Sequence, residues 1–207
     1  MEKTVNGGRE QFCLPGTVIR VNDIGKEGGR AFFAKVFFVT DRVMLSHIRG
    51  ITGLDTMALQ NWVKRKWVAN PEKKTYSRDH LARFLIVNML RDTLQIARIM
   101  YLLRYLNGTE PEDVLVPEPE IYHYVCLGIG ELLAEGSEGP AAMDAIVDRV
   151  ISDFDAPSAD AKRRLKVTIS IMLNACYASM LKEKADRKLD EIGAPHDPKI
   201  ARLINGG

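Results

Sequence analysis

The chain has 207 residues, 46% of them hydrophobic, with 29 basic and 27 acidic side chains for a formal net charge of +2, which is ample for one large core or two small ones. No run of 18 or more apolar residues occurs, and the greasiest stretch, 121–134, is broken by His123, two glycines and Glu131, so a membrane-spanning helix is excluded. The polar start MEKTVNGGREQ lacks the apolar core of a signal peptide, and Cys13, Cys126 and Cys176 are an odd, widely spaced set, so a cytoplasmic globular protein is expected.

Residues 1–30, rich in glycine and charge, read as a flexible N-terminal arm with a short apolar run at 17–21 and a turn-like GKEGG at 25–29. Residues 31–39, AFFAKVFFV, pair Phe32 with Val36 and Phe33 with Phe37 at i, i+4, as a buried helix would, although a strand suits the composition nearly as well. Either would lay its aromatic face on the helix-turn-helix that follows.

Leu45, Ile48 and Ile51 share one helical face, and Gly53 stands where that helix must stop abruptly. Asp55 is a good N-cap for a second helix, 55–66, in which Ala58, Leu59, Trp62 and Val63 form an apolar stripe with Trp62 as core anchor. Met57, Gln60, Asn61 and Lys64 fall on the opposite face. Glutamine and asparagine amides donate to and accept from the major-groove edge of adenine, while lysine and arginine neutralise phosphate or reach guanine, so this is a predicted reading face with Arg65 beside it.

Pro71 prevents the helix from continuing, and residues 67–77 then read as an exposed wing carrying Lys73, Lys74 and Tyr76 before Ser77 caps the next helix. From Asp41 to Arg83 nine cations stand against four anions, a net +5 inside a chain of +2. The positive charge is therefore local, the footprint expected of a nucleic-acid face. A solvated helical surface could show any one of these features; their coincidence points to double-stranded DNA.

A helix through Leu81, Leu85 and Val87 to Leu90, a break at Asp92-Thr93, and a second helix through Ile96, Ile99, Leu102, Leu103 and Leu106 to Asn107-Gly108 should brace the reading head. Residues 108–118 are acidic, contain proline and have no base, which makes them the predicted linker. Three helices are expected beyond it, at about 119–134, 140–154 and 158–192, the last capped by Ser158 and stopped by Gly193. In the third, Leu165, Ile169, Met172, Cys176 and Met180 form a seam widened by Leu173, Tyr177 and Leu181. About 30 helical residues span ~45 Å, which suits either a homodimer through the C-terminal helices or a central helix in a monomeric bundle.

Other clusters read as structural. Glu120 and His123 are spaced as metal ligands can be, but a dimetal bundle site needs a second such pair, so a capping glutamate and a half-buried histidine are expected, with no metal or cofactor. His47, His80 and His196 have no companion at ligand spacing. Cys126 and Cys176 lie on apolar helical faces, where cysteine serves as a small hydrophobe, and Gly128 and Gly130 suit close helix packing rather than a nucleotide loop. No nucleophile elbow, Cys–His pair or paired carboxylates outside the linker occur, so no enzyme is expected.

The string ITGLDTMALQNWVKRKWV, followed by a basic loop, Tyr76-Ser77 and a leucine-rich helix pair, resembles the winged helix-turn-helix of the MerR family. It is closer still to a bacterial family of unknown function with a MerR-like N-terminal domain, whose members carry similar QNWVKR-type and YS-x-x-x-LAR-type strings. The resemblance implies a transcriptional regulator. Where MerR proteins have an arginine and two aromatics in the recognition helix, this chain has Gln60, Asn61 and Trp62, with Lys64 and Arg65 as replacements for the arginine; Lys74 and Tyr76 match the basic and aromatic wing positions.

The expectation is an all-α protein with a small β wing: arm 1–30, MerR-like DNA-binding domain 31–107, linker 108–118, and a C-terminal helical dimerisation or effector domain 119–207. DNA would be read by helix 55–66 and wing 67–77 through Gln60, Asn61, Lys64, Arg65, Lys73, Lys74 and Tyr76, with Gly53, Asp55 and Trp62 anchoring the helix. Two alternatives are a protein-interaction module on the same scaffold and a sensor whose C-terminal helices take a small-molecule effector.

Overall fold

The computed structural model describes residues 13–20, 28–135 and 140–192. Residues 1–12 and 21–27 of the predicted arm, the stop expected at Gly193, and His196 lie outside the described residues. In chain order the elements are α1 (Gly28–Val36), β1 (Val43–Met44), α2 (Leu45–Thr52), α3 (Thr56–Lys64), β2 (Thr75–Tyr76), α4 (Arg78–Leu90), α5 (Ile96–Asn107), a 3-10 turn (Pro111–Asp113), α6 (Glu118–Glu135), α7 (Pro140–Val150) and α8 (Ala159–Glu191). The protein is mostly helical, with one two-stranded antiparallel sheet that pairs Val43 with Tyr76 and Met44 with Thr75. Among the described residues no helix is long and apolar enough to cross a membrane.

Helix α4 sits at the centre because it is apolar nearly all round. Leu81, Ala82, Phe84, Leu85, Ile86, Val87, Met89 and Leu90 are all buried, and a helix without a polar face has no surface to offer water. It packs against α2, α5, α6, α8 and β2. Side chains from Leu59 and Trp62 through α4 to Val125 and Ile169 form one buried cluster.

Residues 28–36 are helical, but their aromatic face does not lie on the α2–α3 pair as expected. It packs on α6: Phe32 and Phe33 meet the Tyr122 ring at 6.1 and 5.7 Å. Gly29 decides this, since a Cβ there would come within 2.7 Å of the His123 Cα, so only glycine lets α1 approach α6 so closely. Phe37 is capped by the Arg78 guanidinium, 5.6 Å from its ring centre.

In the acidic segment 108–118, Thr109, Glu110, Glu112, Asp113 and Val114 are exposed, while its end is tied to the body. The Asn107 amide donates to Val116 O at 2.7 Å, and its Oδ1 accepts from the amides of Leu115 and Val116 at 3.1 and 2.9 Å. Val116 is buried, and Glu118, now inside α6, receives both nitrogens of an Arg83 fork from α4. On the other side of α6, Leu173 of α8 fills the space where a Gly128 side chain would stand, whereas nothing approaches Gly130. Leu165, Ile169, Met172, Leu173 and Cys176 of α8 are buried, but Leu181, expected to widen that seam, is 49% exposed because the last turns of α8 run past the other helices.

Candidate nucleic-acid interface

The predicted recognition segment is a helix with one side in the core. Gly53 ends α2 in the left-handed region (φ 71°), and its amide donates to Arg49 O; an alanine there would be strained. Asp55 caps α3 by accepting from the Ala58 amide at 2.7 Å. The apolar stripe then goes inward: Leu59 and Trp62 are buried, and the indole stacks on Phe84 of α4 at 6.2 Å. Its other neighbour is Arg91, whose guanidinium lies 5.8 Å from the ring centre. With that side fixed, Met57, Gln60, Asn61 and Lys64 are exposed together.

Helix α3 stops at Lys64, two residues before the predicted end. Lys66 takes φ 62°, and the Trp67 amide returns to Trp62 O at 3.0 Å, so the chain reverses at once. Arg65, exposed, folds back over the Trp67 ring at 5.2 Å. The start of the predicted wing then lies against the body, with Val68 buried and Trp67 half-buried.

What projects is a two-residue hairpin. Glu72 and Thr75 exchange backbone hydrogen bonds at 3.0 and 2.9 Å, leaving Lys73 and Lys74 as the central pair with φ 48° and 64°. Positive φ at both central positions is the geometry of a type I′ turn, which favours Asn-Gly. Lysines in that conformation are strained, and their side chains are exposed without an ion pair among the described residues.

Arg42 holds this turn in place. Its Nε donates to Thr75 Oγ1 at 2.9 Å, one Nη donates to Thr75 O at 3.1 Å, and the other lies 3.1 Å from Glu72. Spacing could not reveal this brace, because its partners are 30 to 33 residues away and the strands that join them are two residues long. In the sequence Arg42 reads only as one of the nine cations between Asp41 and Arg83.

Tyr76 corrects the sequence reading. It is 4% exposed, with its ring edge-on to Phe84 and His80 at 5.7 Å from each, and burial raises its phenol pKa. Residues in a strand alternate between faces, and the face on which Tyr76 lies packs on α4. The side chain is a core anchor of the hairpin and cannot meet a partner there. The Ser77 cap is shared with His80, whose Nδ1 lies 2.7 Å from Ser77 Oγ and whose Nε2 lies 3.1 Å from Asn70 O, which ties the hairpin base to α4.

The Arg30 amide donates to His123 Nδ1 at 3.3 Å, and the Arg30 guanidinium bridges Glu120 and Asp153 at 2.7 and 3.1 Å. Glu120 therefore serves an ion pair between α1 and α6. Cys126 and Cys176 are both buried, and burial raises both thiols, Cys176 to about 12.

A family model described as a domain of unknown function (DUF1836) matches residues 33–125, which take in the end of α1, the α2–α3 pair, the hairpin, α4, α5 and the first turns of α6. Comparison with curated proteins and with solved structures gave no match.

Proposed function

We propose that the protein is a transcriptional regulator that binds double-stranded DNA sequence-specifically through a MerR-like winged helix-turn-helix. The observation that carries this reading is the uncovered polar face of α3, with Gln60, Asn61 and Lys64 held outward by the buried Trp62, in the same α2–hairpin unit that projects Lys73 and Lys74. Gln60 and Asn61 read base edges; Lys64, Arg65, Lys73 and Lys74 take phosphates. Arg49 and Arg78, exposed in that unit, add to the positive field. The exposed end of α8, with Leu181, Leu189 and Ile192 uncovered, supports a homodimer that sets two α3 helices on half-sites one or more turns of DNA apart (~34 Å each).

The test is binding of the purified protein to DNA selected from a random pool, measured against salt. Affinity falls steeply with salt, Lys74→Ala lowers the log–log slope by about 0.9, and Asn61→Ala changes sequence preference with little change in slope. Salt-insensitive binding, or none, overturns the reading. Met57, 72% exposed beside Gln60 and Asn61, favours a second reading in which this face docks a protein. In that case a captured partner survives nuclease treatment.

A further inference from the structure

Away from α3 a cleft of about 240 Å³ opens between the segment 13–17, the end of α4 and α8. It is smaller than the roughly 300–1,000 Å³ of pockets that take drug-sized molecules, so only a small molecule fits. Met89, Ile129 and Met180 supply apolar lining, one each from α4, α6 and α8.

The polar groups on the walls are underused by the fold. Among the described residues Glu183 makes no ion pair, and Arg91 pairs only with Asp92, at 3.8 Å. The Asn88 amide nitrogen is spent on Gly16 O and Thr52 O, at 2.9 and 3.3 Å, which leaves its Oδ1 as a spare acceptor. The lining thus brings together one guanidinium, two carboxylates and an amide oxygen beside apolar side chains, and Lys182 of α8 is near enough to feel both carboxylates.

We infer that this cleft binds an amino-acid-like zwitterion with an apolar side chain, its carboxylate on Arg91 and its ammonium between Asp92, Glu183 and Asn88 Oδ1. A plain carboxylic acid would leave Glu183 without a partner in the cleft, and a plain amine would leave Arg91 with Asp92 alone. The same wall residues touch the proposed reading head. Asn88 bonds the last residue of α2 through Thr52 O, and Arg91 stacks on Trp62, the buried anchor of α3. A carboxylate that draws the Arg91 guanidinium into the cleft pulls it off the Trp62 ring and so loosens α3, which makes the occupant a negative effector of DNA binding. This coupling rests on the DNA reading above; binding in the cleft does not.

The experiment is run first without DNA. Thermal shift and calorimetry use the full chain with L-leucine, L-methionine and L-phenylalanine at up to about 10 mM, each beside the amine and the acid that lack one charge. Cys13 supplies an independent probe, because it is exposed and lines the cleft, while Cys126 is buried and Cys176, also on the lining, is only 4% exposed, so alkylation of Cys13 reports occupancy. The expected result is that at least one amino acid raises Tm and slows Cys13 alkylation fivefold or more. The matching amine and acid do neither, and Glu183→Gln weakens binding about tenfold without changing the Tm of the free protein. Failure of all three amino acids, equal binding of an amine or an acid, or an unaffected Glu183→Gln variant overturns the site whatever the DNA result. With DNA added, the bound amino acid weakens DNA affinity; unchanged affinity in a protein that binds both overturns the coupling.

Discussion

The lysine pair at the hairpin tip can be tested by giving the turn the residues its geometry favours. Lys73 and Lys74 take φ 48° and 64°, a conformation that costs an L residue with a Cβ roughly 1–2 kcal/mol. Asparagine tolerates it and glycine adopts it freely. In Lys73→Asn/Lys74→Gly, relief at two positions is partly offset by the larger chain entropy that glycine gives the unfolded state, about 0.4–1 kcal/mol. A net gain of about 1–2 kcal/mol is expected, which for a chain of this size raises Tm by roughly 2–8 °C. If the lysines contact phosphates, the same variant loses about 1.8 from the salt-dependence slope of DNA binding. Calorimetry gives the first quantity and anisotropy titrations over a salt series give the second. A Tm that is unchanged or lower refutes the strain argument, since the hydrogen bonds between Glu72 and Thr75 are backbone bonds that the substitutions leave intact. A higher Tm with an unaltered slope places the lysines away from phosphate. Stability gained together with binding lost is the signature of a turn kept strained for its charges.

Asp55→Ala removes the cap on α3 and lowers stability by about 1 kcal/mol, read as a shift of the denaturant midpoint, while Gln60→Ala on the exposed face stays within about 0.5 kcal/mol. Trp62→Ala empties the contact between Phe84 and Arg91 and costs about 3–5 kcal/mol, with loss of DNA binding following loss of α3 at ambient temperature. His123 gives a pH dependence. Burial first, then the charge of Arg30, lowers its pKa below the ordinary 6.5, and the Arg30 amide donates to its Nδ1, which requires the neutral ring. The unfolded state then binds more protons, so this contribution is fully present above pH 6.5 and is lost as pH falls from there through the folded pKa. His123→Gln flattens that part of the Tm–pH curve, and an unchanged curve would assign the dependence elsewhere.

Local chemistry was legible in the sequence by itself. Gly53, Asp55 and Ser77 act on residues within four positions of themselves, and the 3.6-residue period of Leu59, Trp62 and Val63 fixes which side of α3 is apolar, so the other side, with Gln60 and Asn61, follows. Ser158 begins α8 for the same local reason. The partner each apolar face takes was not legible, because hydrophobic attraction has no direction and sequence spacing carries no distance across the fold. Phe32 and Phe33 could have covered α2 and α3; Gly29, by admitting α6, sent them to Tyr122. Tyr76 looked like an exposed wing residue until Val43, 33 positions earlier, paired with it and turned its ring inward. The acidic stretch ending at Glu118 looked like a spacer until Arg83 and Asn107 took its polar groups. Arg42 was only a charge until the strand pairing brought Thr75 and Glu72 within its reach. Capping and periodicity act within a turn or two of chain and so can be read along it. Burial and ion pairing depend on which distant segment arrives, and only the packed molecule decides that.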